Sequence, residues 1–117
     1  MTASWEQVAS ELEAARHWEA EGNAGRARVC ARRAAGWAVG ICHSQASEAS
    51  QEGNAYHWLL RYQDLDTTPR ELRAAAQRLT TRVAEDHSLP FDEDPISDAE
   101  AIVQALRNAS GISDIPG

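Results

Sequence analysis

The stretch from Asn23 to His43 holds no proline and fills its apolar positions chiefly with alanine, so an α-helix is the conformation that costs it least. Cys30, Ala34, Trp37 and Ile41 form one apolar stripe at helical spacing, and Ala27, Ala31, Ala35, Ala38 and Cys42 form a second beside it. A helix apolar over so wide an arc must touch more than one neighbour. Most of these side chains are small, so the neighbours can approach closely, with Trp37 as the one large knob. Asn23 supplies the N-cap. The segment reads as the central helix of an all-α domain.

A chain of 117 residues has the size of one domain with a single modest core. It contains no apolar run near the length of a membrane span and no basic segment followed by an apolar block at its start, which predicts a cytoplasmic protein with no membrane partner. Cys30 and Cys42 lie about 18 Å apart along one helix by the helical rise, too far for a bond, and are expected as reduced thiols. All eleven basic residues are Arg, and the net charge of −7 falls entirely in residues 84–117, where Arg107 stands against eight acids. That balance argues against broad non-specific nucleic-acid binding while leaving room for one local Arg-lined site.

The remaining punctuation is helical throughout. Ser4 and Gln7 have the capping-box spacing and open a helix that Gly22 ends, so the first two helices make a tight antiparallel hairpin. Residues 44–53 are serine-rich without a large apolar side chain and read as a mobile connection. Asn54 is expected to cap a short helix with Tyr56, Leu59, Leu60 and Gln63 facing inward. Thr68, Pro69 and Glu71 announce a fourth helix that Leu72, Ala76, Leu79 and Val83 continue. Residues 86–96 read as an acidic, proline-containing loop. Ser97 and Glu100 cap a last helix with Ala99, Ile102, Val103 and Leu106 buried, and residues 112–117 form a frayed tail. The fold expected is all-α: one up-and-down bundle of four to five helices over residues 1–117, with a long N-terminal helical hairpin.

The order of these pieces (Trp5 to Gly22, Asn23 to His43, Leu72 to Val83, Leu89-Pro90, and Ser97-Asp98-Ala99-Glu100-Ala101) resembles the HEPN domain, the higher-eukaryote and prokaryote nucleotide-binding family. The resemblance covers nearly the whole chain. It implies a helical bundle that forms a homodimer, commonly found beside a nucleotidyltransferase, in toxin–antitoxin and phage-defence systems, or acting as an RNase. RNase members carry an Arg followed by four to six residues and then a His. Arg82 and His87 alone fit that spacing, and the resemblance makes them the catalytic pair of a metal-independent endoribonuclease. In that chemistry a ribose 2′-hydroxyl attacks the adjacent phosphorus, His87 moves the proton, and Arg82 holds the developing charge.

Several residues stand against activity. Val83 follows the Arg where active members carry a polar residue, and Ser88-Leu89-Pro90 follows the His in place of a glycine or aromatic turn. Positions five apart diverge by about 140° on a regular helix. Glu85 and Asp86 put negative charge where an RNA phosphate would come. The resemblance therefore implies a non-catalytic HEPN-like dimerisation and partner-binding module, such as the accessory subunit of a nucleotidyltransferase or toxin–antitoxin system. The RNase, and a tetratricopeptide-like peptide-binding hairpin, are its alternatives.

Other candidates are fewer. His57 and Arg61, four apart beside Trp58, could line a nucleotide, phosphate or RNA site. Arg26, Arg28, Arg32 and Arg33 could form a phosphate-facing edge, though pairing with Glu6, Glu13 and Glu19 across the hairpin is the favoured role. Gly36 and Gly40 read as a close-packing pair. No cofactor and no metal are implied: Cys42 and His43 lack further ligands at zinc spacing, and Asp92, Glu93 and Asp94 lack the glycine and terminal glutamate of a calcium loop.

Overall fold

The computed structural model describes residues 4–43, 55–81 and 94–109. They form five α-helices: α1 (Trp5–Ala20), α2 (Ala24–His43), α3 (Ala55–Asp64), α4 (Arg70–Leu79) and α5 (Pro95–Ala109), with no strand among the described residues. The fold is an all-helical bundle arranged around α2, which packs against α1, α3 and α5 and touches α4.

The first hairpin follows its local chemistry. Ser4 and Gln7 exchange side-chain hydrogen bonds with each other's backbone N–H, closing the capping box. Gly22 takes φ +82, the left-handed conformation that lets the chain reverse after α1. Asn23 then accepts the Arg26 N–H on its Oδ1 at 3.1 Å and starts α2 at once. The Arg107 guanidinium lies over the Trp5 ring at 5.6 Å, and Arg16 pairs with Glu100, so α5 runs antiparallel to α1 and parallel to α2. At the far end of that parallel pair the Cys42 thiol donates to the Leu106 carbonyl at 3.7 Å.

The division of labour in the core differs from a single-knob arrangement. Ala31, Ala34, Ala35, Ala38 and Val39 of α2 are fully buried, while Trp37 is only half-buried. The largest fully buried side chains come mostly from the neighbours: Val8 of α1, Leu59 of α3, Leu79 of α4 and Ile102 of α5. So α2 supplies sockets and its neighbours supply the knobs. Gly36 and Gly40 are the deepest sockets. A Cβ at Gly36 would lie 2.5 Å from the Ala55 Cα, and one at Gly40 would lie 2.9 Å from the Trp58 indole nitrogen.

That notch sets the rotation of α3. Ala55, Trp58, Leu59 and Tyr62 face inward, whereas Tyr56 and Leu60, expected inside, are 46% and 38% exposed. Drawing Ala55 and Trp58 onto the two glycines turns Tyr56 and Leu60 outward.

Two helix starts also differ from expectation. The Thr68 hydroxyl donates to the Tyr62 carbonyl at 2.8 Å instead of capping α4, and Pro69 (φ −59, ψ 151) occupies the cap position without a side-chain bond. Helix α5 begins at Pro95, two residues before Ser97, so Pro95 and Ile96 belong to the helix and not to the loop. Asp94 caps it, accepting the Ser97 N–H at 3.1 Å, and Pro95 takes the first helical position, where a missing N–H costs nothing.

Candidate functional site

The arginines divide by their environment. Arg28 is buried, and its Nη2 donates to the carbonyls of Arg78 at 2.9 Å and Leu79 at 3.3 Å and to that of Thr81, closing the C-terminus of α4. Arg73 does the same for the end of α3, donating to Leu65 O at 2.8 Å and Thr68 O at 3.2 Å. A planar guanidinium suits this task because one fork can reach several carbonyls of a frayed turn. Arg78 grips the buried Asp98 through two bonds of 2.9 and 2.8 Å, pinning α4 to α5.

Pairing across the hairpin forms at one arginine, with an acid other than those expected. Arg33 meets Glu11 at 3.5 Å, Arg26 lies over the Trp18 ring at 4.6 Å, and Arg32 lies near the Tyr56 ring at 6.0 Å. Among the described residues none of these arginines pairs with Glu6, Glu13 or Glu19. Helix α2 contains no acid of its own, and that is the readable signal that its arginines are used elsewhere.

Two surface features follow. The first is an outward face. Tyr56 and Leu60, one turn apart on α3, are continued through Arg32 to Val29 on α2, and Val29, Tyr56 and Leu60 are the exposed large hydrophobic residues among those described. His57, Arg61 and Asp64 are exposed beside them, and Arg61 stacks over Trp58 at 5.3 Å. His57 and Arg61 thus sit on one exposed helix surface. Arg82 and His87 lie outside the described residues, as do residues 44–53 and 112–117.

The second feature is a cleft of about 790 Å³. Its walls are the α1–α2 turn from Glu19 to Gly25, the α2 residues Ala27, Arg28, Val29 and Arg32, and the α5 start at Asp94 and Pro95. Burial, and then the nearby Arg32, pull the Arg28 guanidinium below its ordinary range, while Asp98 acts against them. The Asp94 carboxylate, more than burial, raises Glu19 above the usual carboxylate range, and a hydrogen bond between the two side chains adds to the rise. The described residues contain no cluster able to hold a metal ion. Both cysteines are free, and burial raises each thiol, so neither has the lowered pKa of a reactive nucleophile.

No helix among the described residues is long and apolar enough to cross a membrane. Comparison with protein-family models, curated proteins and solved structures finds no match to this chain.

Proposed function

We propose that the domain is an HEPN-like helical module that acts by contact, forming a homodimer and holding a second protein, with no catalytic role of its own. The observation that carries this reading is the apolar outward face of Val29, Tyr56 and Leu60. A long helical hairpin with an alanine- and arginine-rich second helix inside a closed bundle supports the HEPN-like part of it.

The occupant of that face is a second copy of the chain. A two-fold contact requires one patch to be complementary to itself, so both charge signs must lie beside its apolar centre. Exposed Arg61 and Asp64 flank Leu60 on the same short helix and meet that requirement. Helix α3, with 10 residues, is only about 15 Å long. A stable interface takes about 800 Å² per partner, so the adjoining edge of α2 at Val29 and Arg32 must contribute as well.

The test is light scattering on the purified chain at micromolar concentration. A mass twice the monomer's 12.8 kDa is expected, falling to one monomer in Leu60→Arg with the helical circular dichroism unchanged. A monomeric wild type overturns the reading. Incubation with mixed RNA in a chelator gives the separating measurement: intact RNA is expected, and cleavage that disappears in Arg82→Ala and His87→Ala would transfer the function to the RNase alternative.

A further inference from the structure

Like charges crowd the cleft at the start of α2 from two sides. Arg28 and Arg32 stand one turn apart on α2, close enough that Arg32 disfavours the charge on Arg28. Glu19 on α1 and Asp94 just before α5 are a second pair of like-charged groups facing the same space, close enough that Asp94 disfavours the charge on Glu19. Among the described residues no ion pair joins these arginines to these acids.

Arg28, which lines the cleft, carries a donor with no partner. Its Nη2 is used on the α4 carbonyls, but its Nη1 is buried without a hydrogen-bond partner, in a residue only 6% exposed. A guanidinium nitrogen left in this state is costly unless an acceptor arrives. The first turn of α2, which lines the same cleft at Ala24 and Gly25, adds N–H groups and the positive end of the helix dipole on the side of the arginines. A cleft of about 790 Å³ is within the range that takes small ligands.

We propose that this cleft binds a small zwitterion, its oxyanion held by Arg28 and Arg32 at the start of α2 and its ammonium held by Glu19 and Asp94. One such ligand relieves both like-charge pairs at once. A plain anion would face three carboxylates (Glu19, Glu21 and Asp94), and a plain cation would face two guanidiniums, so only a molecule carrying both signs is matched to the lining. The oxyanion is a phosphate or a carboxylate, the chemistry common to both being charge-assisted acceptance from a guanidinium.

The test follows backbone amide resonances of Gly22, Gly25 and Val29 during titration of the full chain with four probes: phosphoethanolamine, β-alanine, inorganic phosphate and ethanolamine. Saturable shifts confined to these residues are expected with at least one zwitterion, about tenfold tighter than with either single-charge probe. Phosphoethanolamine against β-alanine decides between phosphate and carboxylate. Arg32→Gln and Glu19→Gln should each weaken the zwitterion about tenfold while leaving the rest of the spectrum in place. These sites are chosen because Arg28→Gln would also uncap α4. No saturable shift, equal binding of phosphate alone, or unchanged affinity in Arg32→Gln overturns the proposal. The titration is run on the Leu60→Arg variant as well, in which the cleft wall at Val29 and Arg32 is released from the proposed dimer contact, so failure there is separable from failure of the homodimer.

Discussion

A methyl group at Gly36 would collide with the backbone of Ala55, 2.5 Å from its Cα, whereas one at Gly25 meets nothing nearer than the Asn23 Oδ1 at 3.8 Å. The two positions share a helix and should respond to Ala with opposite signs. Gly36→Ala must push α3 off α2, because the obstacle is backbone and cannot rotate away, and should cost about 2–3 kcal/mol. Gly25→Ala should be neutral or stabilising by up to about 1 kcal/mol, since it only removes freedom from the unfolded chain. Urea unfolding of both variants checks this, and loss of stability at Gly25 would contradict the open geometry there. The orphaned Arg28 Nη1 is the other residue-scale fact with consequences, because burial without an acceptor distinguishes this guanidinium from a solvated surface charge.

Between elements, the three arginine fastenings (Arg28, Arg73 and Arg78) and one acid pair decide how the helices stay in register. Asp98→Ala strips Arg78 of its bidentate partner where the Arg78 side chain is still 25% exposed, so water recovers part of the loss and a cost of about 2 kcal/mol is expected. The double variant Arg78→Met with Asp98→Leu should be less damaging than the sum of its single changes, by at least about 1 kcal/mol. Strict additivity in thermal unfolding would show that the pair contributes nothing. At the α1–α5 contact the sign is reversed. Glu19 holds its proton more tightly folded than unfolded, because Asp94 lies beside it. Its contribution is therefore present at low pH and lost as the pH rises through the folded pKa. Glu19→Gln should remove that slope, and a wild type with no such slope relative to the variant would contradict the contact. These fastenings mark the limit of what the sequence discloses. Ser4, Gly22 and Asn23 are legible because capping is local, and the alanine stripe of α2 and the buried face of α5 are legible because their apolar spacing is unambiguous. The rotation of α3 is not, since Tyr56, Leu59 and Leu60 allow two phases and the choice rests with a glycine notch in another helix. Nor is the role of Arg28 legible, because its acceptors lie more than fifty residues away, nor the cleft, whose walls come from α1, α2 and α5.

Across the whole molecule, α2 is the surface on which every other helix depends. Helices α1, α3 and α5 each bury their apolar face against it, and α4 is tied back to it by Arg28 at its C-terminus. Most of the stability of helices in proteins comes from packing of an apolar face, so removing any contact with α2 removes most of what keeps the neighbour folded. The chain should therefore unfold as one cooperative unit. Its tryptophans report on separate contacts: Trp58 on the α2–α3 notch, and Trp5 with Arg107 on the α1–α5 packing. Urea transitions followed by far-ultraviolet circular dichroism, by tryptophan emission and by labelling of the buried Cys30 thiol should superimpose, with a slope of about 1–3 kcal/mol/M. Gly36→Ala should shift all three midpoints together and leave that slope unchanged. If tryptophan emission changed well before helicity was lost, α3 would be leaving a bundle that survives without it, and α2 would not be the common support that the packing makes it.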